Sequence, residues 1–277
     1  MTLTPLSPFV AWQDPYGKRV VEVLGIRPGA KGPTGLSDLF RSLFPINMTV
    51  AQFAARAHRP EMYGKYLFLD NNLFSAHPQL ADAYINPIPP MFRENQYIPP
   101  PQGREAGRGD TFLSFFWGAK GSRSGLHRDP WGWTSWIAVL YGRKAFRLFP
   151  VNASHQLHTY PDDFDRSPVD AFHPDYKAYP RYATLTPIEV VVGPGDVICL
   201  MDYYHQAYNL EESMAVSGNI INHNNVERII FESIDRGKPA VGRDLLDHVQ
   251  RSGDMGLFRK LAKRWNVIYP PGSKPKG

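Results

Sequence analysis

The feature that most constrains the fold of this chain is a series of short apolar segments separated by glycine and proline turns. The segments lie in the middle of the sequence, at 111–117, 134–141, 145–149, 187–192, 197–201 and 215–221. Each has the length of a single strand, and many short strands between Gly and Pro turns are typical of a sandwich or jelly roll. The sequence therefore predicts a mainly β fold.

The chain on either side of this β region has a different pattern. A helix is predicted at 50–57 and a strand at 66–69. Residues 243–265 carry apolar side chains at helical spacing, which predicts two short helices broken near Ser252. We therefore predict one domain, 1–277, made of an N-terminal α/β support (1–110), a β core (111–222) and a helical C-terminal extension (223–277).

Composition excludes several classes of protein. The chain has 277 residues, one cysteine and a formal net charge of +5. A single cysteine excludes an internal disulfide framework and a cysteine-rich zinc finger. No run of about 18 apolar residues predicts a membrane span, and scattered Lys and Arg do not favour nucleic-acid binding. The N-terminus shows no secretion signal, so we expect a cytoplasmic protein, or a nuclear one in a eukaryote.

Three side chains of the predicted β core have the chemistry of a metal site. His127 and Asp129 stand two positions apart in GLHRDP, and such residues point to the same side of an extended segment. His205 follows the predicted strand pair that turns at 193–196 and is the best candidate for a third ligand. Two histidines and one carboxylate form the facial triad of non-haem Fe(II) oxygenases, which leaves positions open for a co-substrate and oxygen.

Ordinary interpretations of these residues stay open beside the metal site. His127 and Asp129 also fit a surface ion pair, and His205 alone fits a core histidine bonded to the backbone. Lys144 favours the metal site, because in GRKAFRLF it shares the apolar face of a predicted strand. A lysine inside a β core needs an anionic partner, which a dicarboxylate co-substrate supplies. The alternative is an ammonium that reaches solvent from the strand end.

Taken in order, these motifs resemble a known family. The run 125–150, GLHRDPWGWTSWIAVLYGRKAFRLFP, resembles the first metal-binding half of JmjC-type 2-oxoglutarate oxygenases, and the run 190–219 resembles the second half. In the second run a Gly-Asp turn and the pair Tyr203-Tyr204 precede the histidine, as in that family. The resemblance covers residues 40–222, approximately, and implies a double-stranded β-helix, the jelly-roll or cupin fold.

The resemblance also implies roles for individual residues. The predicted triad would bind Fe(II), with 2-oxoglutarate and O2 as co-substrates. Lys144 would pair with the distal carboxylate of 2-oxoglutarate, and Ser124 would help to hold it. Asn219, and more weakly Ser217, would lie beside the co-substrate near the metal. The alternatives are a hydroxyl that closes a loop for Ser124 and an amide that caps a turn for Asn219.

The carboxylate of the triad bears on the reaction. Family members that demethylate histones usually carry Glu where this chain has Asp129. The resemblance therefore implies a hydroxylase that acts on an unactivated C–H bond of an amino acid, a peptide or protein side chain, or a small metabolite. Two alternatives stay open: an oxygen-independent metal-binding cupin, such as an isomerase or a ligand-binding module, and a histone-type demethylase.

Two groups of residues are candidates for contacts with a substrate and with a second copy of the chain. Candidate substrate contacts beside the triad are Asp202, Tyr203, Trp131 and Trp133. For the aromatic residues the alternative is core packing, and for Asp202 it is a turn cap or a pair with a nearby arginine. The C-terminal helices carry an apolar set that predicts either a homodimer interface or packing within the chain: Leu257, Phe258, Leu261 and Trp265.

Overall fold

The computed structural model describes residues 20–26, 43–60, 66–70, 97, 113–129 and 132–270. The strands are β1 (Val20–Ile26), β2 (Leu43–Thr49), β3 (Tyr66–Asp70), β4 (Ser114–Gly118), β5 (Leu126–His127), β6 (Thr134–Tyr141), β7 (Lys144–Phe149), β8 (Arg166–Ser167), β9 (Ile188–Val192), β10 (Val197–Cys199), β11 (Tyr204–Asn209) and β12 (Ser213–Ile220). The helices are α1 (Val50–Ala57), α2 (Val226–Asp235), α3 (Pro239–Arg251) and α4 (Met255–Ile268), with short 3-10 helices at Val151–Ala153 and Pro180–Thr184.

The strands form two antiparallel sheets. One has the order β10-β6-β12-β4-β3-β1-β2 and the other the order β8-β5-β11-β7-β9. Their inner faces pack on each other, because Val139 and Ile198 of the first sheet share an apolar cluster with Phe146 and Leu148 of the second. This arrangement is the mainly antiparallel jelly-roll fold that the sequence predicted.

The outer face of the larger sheet is covered by α1. The helix begins after Thr49, whose hydroxyl accepts from the backbone N–H of Gln52 while the Gln52 side chain accepts from Thr49 N. This reciprocal capping box satisfies two N–H groups at the start of the helix. Phe53 then packs edge-on against Trp117 of β4, with ring centroids 5.2 Å apart. The predicted bounds of this helix are confirmed.

The C-terminal region differs from its prediction in the start of one helix and in an additional helix. The break between the two predicted helices is confirmed at Gly253, which has a positive φ of 85° between α3 and α4. The first of them begins earlier, at Pro239, and a further helix, α2, precedes it. The apolar spacing of Val226, Ile229 and Ile230, all buried, carries the signal for α2 that the sequence analysis missed.

The apolar residues named for a homodimer pack within the chain instead. Leu261 and Trp265 are almost fully buried in a cluster built from α2, α3 and α4, and Leu257 and Phe258 pack partly against it. These four side chains therefore give no support to the predicted homodimer. The predicted division of the chain into parts stays a prediction, because much of 1–110 lies outside the described residues.

Candidate metal centre

The three predicted ligands come from the smaller sheet and meet at one point. His127 ends β5 and stands opposite His205 of β11 in the antiparallel register, while Asp129 follows two residues after His127. One ligand atom from each side chain lies within 4.8 Å of the other two, and His127 Nε2 is 3.7 Å from Asp129 Oδ1. The ring centroids of the two histidines are 4.3 Å apart.

Backbone carbonyls orient both imidazole rings. His127 Nδ1 lies 2.9 Å from the carbonyl of Gly125, and His205 Nδ1 lies 3.0 Å from that of Tyr203. Each Nδ1 therefore carries the proton it donates, and each Nε2 keeps its lone pair free for a ligand bond. This tautomer is the one that a metal site needs.

The charge state of the centre also suits a cation. Burial, helped by the neighbouring His127, lowers the pKa of His205 to about 4, so the ring is neutral near neutral pH, as a metal ligand must be. Ser135 Oγ donates to Asp129 Oδ2, which leaves Oδ1 facing His127. Two imidazole nitrogens and one carboxylate oxygen that converge in this way fit Fe(II) or a similar divalent transition metal.

Lys144 lies on the same inner face as His205. In the register of β7 with β11, Leu148 is opposite His205 and Lys144 is opposite Asn209. Because alternate residues of a strand share a face, Lys144 faces inward like Leu148, with one inward residue between them. The side chain is buried, with 4 % of the residue exposed, and Nζ donates to Asn209 Oδ1 at 2.6 Å. Burial lowers its pKa to about 7. The ammonium is therefore directed into the barrel and not to solvent.

A small polar cluster surrounds this ammonium. Asn209 Nδ2 donates to Ser122 Oγ at 2.8 Å, and Ser213 Oγ donates to Asn209 Oδ1 at 2.6 Å. In the part of the chain that the structure describes, Lys144 has no carboxylate partner, and burial accounts for its lowered pKa. A desolvated ammonium held only by an amide oxygen is suited to receive an anion.

The other residues named for the co-substrate also lie along the barrel. Ser124 Oγ accepts from the backbone N–H of Ala207 at 3.0 Å. On β12, Asn219 stands opposite Ser135 and Ser217 stands opposite Ile137 in the register with β6. Asn219 therefore neighbours the serine whose hydroxyl donates to Asp129.

The candidate substrate contacts have different surroundings. Tyr203 packs against the apolar cluster between the sheets, and Trp133 packs partly against the C-terminal helices. The Asp202 carboxylate pairs with Arg128 and Arg228, and burial raises its pKa against the pull of these two arginines. Asp202 therefore pairs with arginines, which was the alternative to its predicted contact with a substrate. Trp131 lies outside the described residues.

The sequence analysis missed two polar positions of the centre. Asn209 contacts the inward lysine, and Ser135 contacts the Asp129 carboxylate. Their only sequence signal is period-2 spacing: Asn209 shares a strand face with His205, and Ser135 shares one with Ile137. Finding them requires the strand register, which the sequence pattern alone does not give.

Comparison with known proteins places the chain in a family. A family model described as a cupin-like domain matches residues 11–221. The 2-oxoglutarate and iron-dependent oxygenase JMJD4 of Gallus gallus is 32% identical over 122 residues, which cover 42% of this chain and 28% of that protein. The arginine-specific demethylase JMJ22 of Arabidopsis thaliana is 27% identical over 209 residues, or 70% of this chain and 38% of that protein.

A third relative is named for a different activity. The lysine-specific demethylase 8 of Xenopus tropicalis is 28% identical over 116 residues, which cover 41% of this chain and 26% of that protein. The chain thus spans well under half the length of the curated relatives it matches. Among the described residues, no helix is long and apolar enough to cross a membrane.

The matched region and the motifs coincide. The family model covers residues 11–221 and so contains the triad, Lys144 and both sheets of the β core. The chain therefore belongs to the cupin-like domain family, in the JmjC type that its metal-ligand motifs predicted.

Proposed function

We propose that this chain is an Fe(II)- and 2-oxoglutarate-dependent dioxygenase that hydroxylates an unactivated C–H bond. The observation that carries the proposal is the position of a buried lysine on the same inner face as a convergent His-Asp-His triad. The triad supplies the ligands for Fe(II), and Lys144 supplies a cation deeper in the barrel for a dicarboxylate. An oxygen-independent metal-binding cupin has no general need for this lysine.

The relatives support the same cofactors. JMJD4 of Gallus gallus is named as a 2-oxoglutarate and iron-dependent oxygenase. When bound, Fe(II), 2-oxoglutarate and O2 supply an oxidative decarboxylation that yields succinate and carbon dioxide and delivers one oxygen atom to the substrate.

The protein's own residues bind and orient these groups. His127, Asp129 and His205 would hold the metal and leave further coordination positions to co-substrate and oxygen. The Lys144 ammonium binds the distal carboxylate through a charge-assisted hydrogen bond. Ser124 offers a hydroxyl nearby. Phe146 belongs to the apolar cluster between the sheets and lies between Leu148 and Lys144 on the inner face of β7, where apolar side chains would limit the access of water.

Lys144 also takes up a proton when the co-substrate binds. Its pKa of about 7 in the free protein means that much of it is neutral at a slightly alkaline pH. A bound carboxylate favours the ammonium and raises this pKa. Binding of 2-oxoglutarate at alkaline pH therefore draws one proton from solvent onto Nζ.

We propose an amino acid or a peptide or protein side chain as the substrate. Tyr203 lies two residues before His205, partly buried beside the apolar interior cluster, and would offer a flat surface for a side chain. The Asp129 of the triad supports hydroxylation. The names of relatives such as JMJ22 and lysine-specific demethylase 8 favour a second candidate, N-methyl demethylation, which begins with the same C–H hydroxylation and then releases formaldehyde.

The test is anaerobic loading with Fe(II) and 2-oxoglutarate, followed by oxygen and measurement of succinate. We expect succinate release without added substrate at a low rate, and stimulation by one class in a panel of amino acids, peptides, N-methylated peptides and metabolites. Mass spectrometry separates a product heavier by one oxygen from loss of a methyl group with formaldehyde. His127→Ala should abolish succinate release, while His155→Ala, at an exposed loop position, should not change it.

A further inference from the structure

Arg128 stands between two of the proposed metal ligands and points away from them. Neighbouring residues on an extended segment face opposite sides, and only 5 % of Arg128 is exposed. Its guanidinium donates to three carboxylates: to Asp165 Oδ1 at 2.9 Å, to Asp202 Oδ1 at 3.2 Å, and to Glu232 Oε1. Because the guanidinium is planar and rigid, three acceptors around it fix its position and that of the backbone that carries it.

Asp202 connects this arginine to the other half of the metal centre. It lies in the turn that leads into His205 and has a positive φ of 67°, a conformation that few residues other than glycine adopt without support. Its second carboxylate oxygen accepts from Arg228 of α2, which also donates to the carbonyl of Gly132. The same turn presents the Tyr203 carbonyl that orients the His205 ring.

Helix α2 closes the set of contacts. Glu232 and Arg236 lie one turn apart on this helix and pair with each other. Arg236 also pairs with Asp165 and stacks over the ring of Phe164, with Cζ 4.2 Å from the ring centroid. We name the resulting set of three cations and three carboxylates the charge network: Arg128, Asp165, Asp202, Arg228, Glu232 and Arg236.

We propose that the charge network positions the metal ligands by fixing the loop with His127 and Asp129 to the turn before His205. Helix α2 contacts both segments and holds them together. None of the members of the charge network is a metal ligand, so they act as positioning residues through the backbone. The proposal rests on the proposed function, and it assigns Asp202 to the scaffold of the metal centre and not to the substrate.

The physical reason is that the triad is split between two segments. His127 and Asp129 come from β5 and the loop after it, whereas His205 comes from β11, and a single register pair, His127 with His205, joins β5 to β11. The loop before β5 is also joined to β11, since Ser124 N–H donates to the carbonyl of Ala207 and Asn209 N–H donates to that of Ser122. The Arg128–Asp202 contact ties the opposite side, where the chain leaves β5 toward Asp129, to the turn before His205, and partners that orient metal ligands typically change metal affinity by about tenfold or more.

The experiment measures metal binding directly, without co-substrate or substrate. Mn(II) serves as the probe, and the loss of its free EPR signal on titration into the purified full chain gives a Kd. Arg128→Lys keeps one positive charge but cannot contact three carboxylates at once, so we expect the Kd to rise about tenfold. Asp202→Asn and Glu232→Gln, which keep size and some hydrogen bonding, should shift it in the same direction.

A matched control comes from the loop before β5. Arg123 is also partly buried and pairs with Asp170 at 2.6 Å, but it lies outside the charge network. Arg123→Lys should leave the Mn(II) Kd within about twofold of that of the unmodified protein. Thermal unfolding of each metal-free variant, and the visible spectrum of Co(II) bound to it, distinguish a changed ligand geometry from reduced stability.

The outcomes separate this inference from the proposed function. If the unmodified protein does not bind Mn(II), or if His127→Ala binds it equally well, the proposed function fails. Suppose that the unmodified protein binds Mn(II) and His127→Ala does not. An unchanged Mn(II) Kd in Arg128→Lys and Glu232→Gln then overturns the inference, even if these two variants unfold at a lower temperature. The inference is also overturned if Asp202→Asn raises the KM of a substrate and leaves the Mn(II) Kd unchanged.

Discussion

At the scale of single residues, Lys144 allows co-substrate binding to be separated from folding. Lys144→Met removes the ammonium and leaves Asn209 Oδ1 with its hydrogen bond from Ser213. We expect the KM for 2-oxoglutarate to rise by about tenfold to a hundredfold, the equivalent of about 1.5–3 kcal/mol for a lost charged hydrogen bond. The metal-free variant should unfold at an equal or higher temperature, because a desolvated cation has been removed.

The measurements for Lys144→Met are succinate release at varied 2-oxoglutarate and a thermal unfolding curve. Lys120→Met, at an exposed loop position, is the control for loss of a lysine and should change neither. An unchanged KM in Lys144→Met would contradict the assigned role. A large loss of stability in the same variant would indicate instead that the ammonium is part of the structural core.

The pH dependence of co-substrate binding follows from the same residue. The free protein carries Lys144 with a pKa of about 7, and the complex requires the ammonium. Below this pH the lysine is already charged, whereas above it binding takes up a proton, so affinity falls as pH rises. The Kd for 2-oxoglutarate, measured by calorimetry on Mn(II)-loaded protein, should rise about tenfold per pH unit between pH 7.5 and 8.5.

Lys144→Arg provides the comparison for this titration. A guanidinium stays protonated over the whole range, so a variant that still binds the co-substrate should show a flat profile over the same range. A flat profile in the unmodified protein would mean that Lys144 is charged before the co-substrate arrives.

At the scale of secondary structure, the close approach of β4 to β11 supports the lysine environment. A Cβ atom at Gly118 would lie 1.8 Å from Asn209 Nδ2, and Asn209 is the amide that accepts from Lys144. Gly118→Ala should therefore displace this amide, lower stability and weaken 2-oxoglutarate binding. Gly193→Ala is the control, because the atom nearest to its added Cβ is 3.7 Å away. Unfolding curves and the Kd for 2-oxoglutarate, measured on both variants, test this expectation.

The sequence predicted some strands well and others not at all, for a physical reason. β6 was predicted with its observed bounds, since apolar residues fill most of TSWIAVLY. β11, with the sequence YHQAYN, was not predicted as a strand, because polar residues interrupt the apolar pattern on both of its faces. Its inner face carries His205 and Asn209, and on its outer face Gln206 accepts from the backbone N–H of Ala171. Residues that serve a site replace the apolar pattern on which strand prediction depends.

The three proposed ligands were easier to single out from the sequence than the residues around them. His127 and Asp129 are close in sequence, and the turn before His205 has a recognisable motif. Asn209 and Ser135 become neighbours of Lys144 and Asp129 only through the strand registers, which depend on the pairing of distant segments. The charge network is harder still to predict, since it joins four separate regions of the chain.

At the scale of the whole molecule, the C-terminal helices are part of the fold that carries the centre. Trp265 is 1 % exposed. The guanidinium carbon of Arg243 lies 4.9 Å from the centroid of the Trp265 ring, and the same ring borders Gly242 of α3. Its replacement therefore opens a cavity between α3 and α4, below the helix that contributes Glu232 and Arg236. Removal of a buried Trp typically costs about 3–5 kcal/mol of unfolding free energy.

We therefore expect Trp265→Ala to be strongly destabilised with no change in molecular mass in solution. Val267 lies on the same helix with 75 % of the residue exposed, so Val267→Ala should unfold like the unmodified protein. Denaturant unfolding combined with light scattering at micromolar concentration measures both properties. If the unmodified protein is a dimer and Trp265→Ala becomes a folded monomer of undiminished stability, α4 packs against a second copy. Loss of stability at constant mass would place the role of Trp265 within the chain, where it supports α2 and through it the metal centre.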